Sequence, residues 1–210
     1  MMALVLYNYD LDENCYKVRL ALSMLTIEHE IVAVNAFPGK EQETPPFLAM
    51  NPMGTLPILK DGDLTLFGAE AILAYLSRSQ DGSGRWLPAD GAGFALSMQW
   101  LLFAAGDLSV ATRARANALF GTPGDEAALR AGARRAIGAM EDAMTVNGFA
   151  GQDWFAGPAP TIADVALFPA FVLSRDFGVD HDEYPALRKW ARRFRALPGF
   201  LTMPGIPDYH

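Results

Sequence analysis

Apolar and polar positions follow two rhythms along this chain. Up to about residue 80, short apolar runs are interleaved with helix-spaced ones; beyond residue 90 only the helical spacing persists. Residues 3–7 (Ala-Leu-Val-Leu-Tyr) form an apolar run that reads as a buried strand, and 8–14 a polar loop. Val18, Leu20, Ala21, Leu22 and Leu25 give residues 15–25 a helical face. Ile31, Val32 and Val34 mark a second strand, and 45–48 a short helix or turn. Two further apolar runs, 58–60 and 64–67, flank Asp61-Gly62, a pair suited to a tight primed turn, so a hairpin is predicted there. The next helix is 69–78. This order predicts a small α/β domain with a mixed sheet.

Gly- and Pro-containing stretches at 81–84 and 88–93 punctuate the chain. The reading is therefore an α/β domain over 1–79, a linker over 80–92 and an all-helical domain over 93–210. Helices are predicted at about 93–119, 125–147, 161–174 and 185–196. Thr161 is a good N-cap for the third of these. Asp164, three residues on, reaches back to the cap's own N–H, a reciprocal arrangement with a structural role.

Composition narrows the class. Apolar residues are 51% and charged residues 20% of the 210, which excludes disordered and fibrous chains. No apolar stretch approaches the roughly 20 residues of a membrane helix, and no membrane partner is expected. Nor does the start of the chain read as a signal peptide. The net charge of −7 makes a poor nonspecific binder of nucleic acid. A basic cluster (Arg188, Lys189, Arg192, Arg193, Arg195) is interleaved with Leu187, Trp190, Ala191 and Phe194 and reads as the solvated face of an amphipathic helix. The single cysteine, Cys15, excludes an internal disulfide and a Cys-rich zinc site, and suits a reducing, cytoplasmic setting. The histidines add little: His29 lies between two glutamates, His181 in an acidic loop read as solvated, and His210 is terminal. A metal site from His181, Asp180 and Asp182 is conceivable, but no metal is expected.

Four motifs then occur in order: Asn-Cys-Tyr-Lys-Val-Arg-Leu-Ala-Leu at 14–22, Phe-Leu-Ala-Met-Asn-Pro-Met-Gly-Thr-Leu-Pro-Ile-Leu at 47–59, Ala-Ile-Leu-Ala-Tyr-Leu at 71–76, and Pro-Thr-Ile-Ala-Asp-Val-Ala at 160–166. Each is weak alone. As an ordered set covering nearly the whole chain they resemble the glutathione S-transferase superfamily, in its bacterial Ser/Cys-type form with a divergent loop. The resemblance implies a thioredoxin-like N-terminal domain, an all-helical C-terminal domain, a homodimer, and glutathione as co-substrate. It also implies a cis Leu56–Pro57 bond, aiming the Leu56 backbone at the cysteinyl part of glutathione.

The departures from that family are chemical. Counting back from Lys17 puts Asp12 where the family has its catalytic hydroxyl and Cys15 at the second motif position; the tyrosine position of other members falls on Asn8. An ionised Asp12 has no proton to donate to a thiolate; a protonated one could donate, but would need burial. Two charges about 4 Å apart repel by roughly 4 kcal/mol at an effective dielectric of 20. Asn14 is an alternative donor. Cys15 is another candidate at a helix start, set against a packed apolar role. At the γ-glutamyl end, Gly68-Ala69-Glu70 replaces the family's Glu-Ser, leaving the helix amino terminus at Ala69 to hold a carboxylate. Glu70 then either meets the ligand's ammonium or is a solvated first-turn acid. At the glycyl end Glu43 stands where a cation is usual, with Gln42 beside it and Lys40 near enough to substitute.

The leading expectation is conjugation of the glutathione thiol to small hydrophobic electrophiles, with Tyr9, Leu11, Phe103 and Val110 lining the co-substrate pocket. The alternatives are a non-catalytic ligand-binding or interaction module of this fold and a Cys15-dependent thiol-disulfide oxidoreductase. Fold alone does not separate them.

Overall fold

The computed structural model describes residues 4–206. The expected strand residue Ala3 and the terminal His210 lie outside the described residues. Strands β1 (Leu4–Asn8), β2 (His29–Ala33), β3 (Ile58–Asp61) and β4 (Leu64–Phe67) form one mixed sheet in the order β2-β1-β3-β4. The β1–β2 pair is parallel, joined through α1 (Glu13–Met24); β3 runs antiparallel to β1 and forms the predicted hairpin with β4. Leu4 and Leu6 of β1 and Leu59 of β3 pack toward α1 and α3 (Ala69–Ser79). Tyr7 and Ile58 turn to the other face, where the short α2 (Pro45–Met50) supplies Phe47, its ring edge-on to Tyr7 at 5.7 Å. The thioredoxin-like order of elements is thus in place.

The rest is helical. The continuous helix predicted over 93–119 is two helices, α4 (Gly91–Ala105) and α5 (Ser109–Phe120). The break falls at Gly106, where a Cβ would come within 3.0 Å of the Leu102 carbonyl. Taken together, residues 91–120 are long and apolar enough by composition to cross a membrane, which the sequence reading had excluded for every stretch. Their apolarity is divided here: Leu101, Ala104, Leu108, Ala111 and Ala114 enter the core, and Phe94 and Leu102 are exposed. The long α6 (Glu126–Phe149) packs against α5, and α8 (Pro185–Arg195) buries Leu187, Trp190, Ala191 and Phe194. Its basic residues point outward, Arg193 pairing with Asp153 at 2.7 Å and Arg188 with Asp182. Residues 80–90 are not a loose tether: Trp86 and Leu87 are buried in the shared core, and the Ile162 N–H donates to the Trp86 carbonyl at 2.9 Å.

At the centre lies α7 (Ile162–Val172), every residue of which is buried. Its start is the reciprocal cap expected from Thr161 and Asp164. The Thr161 N–H donates to Asp164 Oδ2 at 2.9 Å, and Thr161 Oγ1 accepts from the Ala163 N–H at 3.2 Å. Asp164 does more than close a cap, since Oδ1 also accepts from Trp190 Nε1 (2.9 Å) and the Phe155 N–H (3.2 Å). Complete burial still pushes its carboxyl up to about 6, with those donors pulling the other way.

His181 departs from expectation. It is not in a solvated loop but fully buried, stacked on Phe171 at 4.4 Å, with Nε2 3.0 Å from Ser174 Oγ. A metal site with its acidic neighbours is therefore not formed, and no group of three or more His, Cys, Asp and Glu able to hold a metal occurs among the described residues. Burial lowers the imidazole to about 4. Between pH 6.5 and 4 the unfolded chain accepts a proton that the folded chain refuses, so this stabilisation is complete above 6.5 and is lost as pH falls toward 4. Asp164 has the opposite sign, because the folded state takes up its proton first, near pH 6. The His181→Gln substitution isolates the first effect. In urea unfolding at pH 7 and pH 4.5, the parent should lose about 2 kcal/mol more than the variant on acidification. Equal losses would mean that His181 is not the acid-sensitive group.

Candidate active site

The loop between β1 and α1 is held from its own domain by Arg19. Its guanidinium donates to Asn8 Oδ1 (2.7 Å), the Asp10 carbonyl (2.9 Å) and Asp10 Oδ1 (3.2 Å), while Asn8 Nδ2 donates to Asp10 at 2.8 Å. The helix then begins two residues earlier than its apolar spacing predicts, because Asp12 caps it. Asp12 Oδ1 accepts from the Cys15 N–H at 2.7 Å. This revises the role expected for Asp12. Its Oδ1 is engaged by the helix backbone, so capping is the role the structure shows for it. Desolvation raises the carboxyl above its usual range against the pull of the capping N–H groups.

Cys15 is fully buried, with Sγ accepting from the Tyr9 N–H at 3.4 Å. It belongs to a small apolar cluster with Val34, Phe47, Leu56 and Ile58, against which Tyr7 and Tyr9 pack. Burial first, and the neighbouring Asp12 second, push its thiol well above the ordinary range. That is the environment of a packed thiol, contrary to what nucleophilic or mixed-disulfide chemistry needs. Glu13 turns to the helical domain and accepts from Thr112 Oγ1 at 2.9 Å. Asn14 differs from all three: it is half-buried, in the first turn of α1, and its carboxamide makes no hydrogen bond among the described residues.

The same cluster brings Cys15 beside Leu56, and the Leu56–Pro57 bond is cis. The loop before it is built by Asn51, whose side chain donates to the Thr55 carbonyl (2.8 Å) and hydroxyl (2.9 Å) and accepts from the Met53 N–H (3.0 Å). Next to it, α3 opens at Ala69 behind Gly68, which has φ +83° and nothing within 4 Å of where a Cβ would stand. No side chain caps the first N–H groups of α3. Neither role read for Glu70 is the one seen. Its Oε1 lies 2.9 Å from the buried Lys17 ammonium, tying α1 to the start of α3. At the other end Lys40 is exposed, 3.9 Å from Glu43. Gln42, on a single 3₁₀ turn over Glu41–Glu43, holds its Oε1 buried and without a hydrogen-bond partner among the described residues.

The pocket side chains are partly reassigned. Phe103 stacks edge-on against Trp100 at 5.4 Å within the helical core, and Val110 lies against α6, where a Cβ on Gly132 would meet it at 2.9 Å. Neither joins Tyr9. The ring that does is Phe120, the last residue of α5, with its centroid 6.1 Å from Tyr9 and 5.0 Å from Phe37. Leu11 stays at this junction, its carbonyl accepting from Arg115 at 2.7 Å. Neither Phe120 nor Phe37 is singled out by the sequence, because their meeting across the two domains is tertiary.

Two family models match the chain, "Glutathione S-transferase, N-terminal domain" over residues 2–78 and "Glutathione S-transferase, C-terminal domain" over 120–198. Among curated relatives, a probable maleylacetoacetate isomerase of Vibrio cholerae is 30% identical over 207 residues, 95% of this chain and 94% of that protein. The glutathione S-transferase GstB of Escherichia coli K12 is 29% identical over 92% of this chain and 94% of its own. A solved structure of a possible glutathione S-transferase from Rhodopseudomonas palustris superposes with a TM-score of 0.83 at 29% identity, covering 99% of this chain and 92% of that one.

The burial of Cys15 has a direct consequence. A thiol-alkylating reagent should label the native protein very slowly at neutral pH and fully once it is unfolded in urea, with stoichiometry read by mass spectrometry. Rapid native labelling would restore Cys15 as a reactive group.

Proposed function

This chain belongs to the glutathione S-transferase superfamily, and on that premise we propose that it is a glutathione-dependent enzyme joining the tripeptide thiol to small hydrophobic electrophiles. One observation carries the reading. The cis Leu56–Pro57 turn, the amino end of α3 with no side-chain cap and the first turn of α1 converge, linked by the Cys15–Leu56 packing and the Lys17–Glu70 bridge.

The fit to glutathione follows from groups that the fold leaves unsatisfied. The N–H groups of Ala69 and Glu70 receive the γ-glutamyl carboxylate, and the Leu56 backbone pairs with the cysteinyl unit. Gln42, whose buried Oε1 has no partner among the described residues, accepts from the glycyl amide N–H, and the Lys40 ammonium meets the glycyl carboxylate. Of the loop's candidate donors, Asp12 is spent on the cap, Cys15 is packed and Asn14 is available. Asn14 Nδ2 therefore donates to the sulfur, favouring thiolate over thiol. In the reaction the sulfur lone pair forms a bond to the electrophilic carbon, which releases its leaving group or passes an electron pair to a neighbouring atom that takes up a proton. Tyr9, Leu11, Phe37 and Phe120 form the apolar wall for that partner. Exposed Phe94 and Leu102 on α4 and Leu64 and Phe67 on β4 support a homodimer.

Glutathione should raise the melting temperature, since ligand at 100 times its Kd adds about 2.7 kcal/mol. Asn14→Ala should keep that shift but lower kcat/KM roughly tenfold or more with an aryl halide or an activated alkene, the loss of one hydrogen bond to a charged atom. Asp12→Ser, which retains a capping oxygen, should change the rate little. No thermal shift at millimolar glutathione would replace this reading with that of a ligand-binding module. A slow Asp12→Ser beside a normal Asn14→Ala would assign the thiol contact to Asp12.

A further inference from the structure

The β1–α1 loop is gripped from two sides, and the second grip comes from the other domain. Arg115 of α5 is buried at 4% exposure. Its Nη1 donates to the Leu11 carbonyl at 2.7 Å, and its Nε to Asp176 Oδ2 at 2.7 Å. Three residues earlier, hence on the same face of α5, Thr112 Oγ1 donates to Glu13 Oε1 at 2.9 Å. Leu11 and Glu13 flank the capping residue Asp12 and precede Asn14. Burial raises the Glu13 carboxyl, while Lys17, the Thr112 hydroxyl and Arg115 pull it back toward the ionised form. We infer that Arg115 and Thr112 are positioning residues, which hold the loop between Leu11 and Asn14 in register so that the Asn14 carboxamide meets the thiol. The inference rests on the reading of that loop as the thiol-activating element.

The physical argument is one of restraint. The Asn14 side chain has no hydrogen-bond partner among the described residues, so its place is set by the backbone on either side of it. Residues 8 and 10 are fixed by Arg19, within the same domain. Residues 11 and 13 are fixed from α5. A carboxamide misplaced by about 1 Å loses much of a hydrogen bond whose strength falls steeply with geometry. The same helix carries Phe120 at its end, so one rigid element presents the co-substrate wall and steadies the thiol donor.

Thr112→Val is the informative substitution: it keeps shape and removes the donor. The bound glutathione thiol should titrate about one pH unit higher in the pH–rate profile, and kcat at pH 6.5 should fall roughly tenfold, with KM for glutathione within about twofold. Thr112→Ser, which keeps the hydroxyl, should restore the parent profile. Arg115→Lys keeps the charge without the fork that spans Leu11 and Asp176, and should shift the profile in the same direction. Backbone amide hydrogen exchange of residues 10–14, run without glutathione, supplies a readout independent of turnover and should show faster exchange in both Thr112→Val and Arg115→Lys. An unchanged thiol titration and kcat in folded Thr112→Val, with the parent conjugating normally, would overturn the inference and leave the proposed function standing. A parent that binds no glutathione removes the proposed function and the positioning role with it, whatever the exchange of the loop.

Discussion

One buried carboxylate organises the helical half of the molecule. Asp164 gathers the Thr161 N–H, the Phe155 N–H and the Trp190 indole, and so fixes the start of α7, the segment before it and α8 in one place. An unpaired charge there would cost several kcal/mol, so the three donors are conditions of its burial and not ornaments on it. Everything else hangs on α7, because it packs on α1 and α3 of the sheet domain and on α4 and α8 of its own. The two domains meet across one continuous core for that reason: Leu6, Leu20 and Ile72 from one side and Phe168, Phe171 and Trp190 from the other belong to a single cluster.

Charges buried at this junction are paired across segments in the same way. Lys17 meets Glu70, Arg115 meets Asp176, and Glu13 meets Thr112. Breaking a buried pair costs far more than the pair contributes relative to apolar packing, so such pairs specify arrangement more than they add stability. Here each pair ends on a residue next to the β1–α1 loop or the start of α3. These three contacts thus brace the walls of the candidate site.

The sheet order, the hairpin and the helical second half were legible because they follow from apolar period and turn residues such as Asp61-Gly62. The Thr161–Asp164 cap was legible because both partners lie within four residues. Three things were not. The α4–α5 break depends on Gly106 against the Leu102 carbonyl, which interrupts no apolar pattern. His181 sits among Asp180, Asp182 and Glu183, yet tertiary packing on Phe171 overrides that local polarity. The meeting of Phe120 with Tyr9 and Phe37 joins it to residues more than 80 positions before it. Asp12 is the instructive case: an acidic N-cap three residues before Cys15 is a local signal, but alignment to a family position obscured it.

The divergence of the loop then has a physical shape. What the structure keeps of the family's pattern is mostly backbone: the cis turn at Leu56–Pro57, the N–H groups that open α3, the capped first turn of α1. Such elements tolerate side-chain change, because the fold itself supplies their donors and acceptors. What differs is side chain, and each change has been absorbed locally. Asp12 does capping that a serine would do as well, so the position can lose its hydroxyl without losing the helix start. Glu70 takes an internal ammonium from Lys17 in place of meeting only solvent or ligand. Gly68, with φ +83°, leaves the α3 amino terminus without a side-chain cap. In the function proposed above, these substitutions move the chemical burden from the hydroxyl position to Asn14, two residues on, and make the precision of that residue depend on the neighbours that fix its backbone.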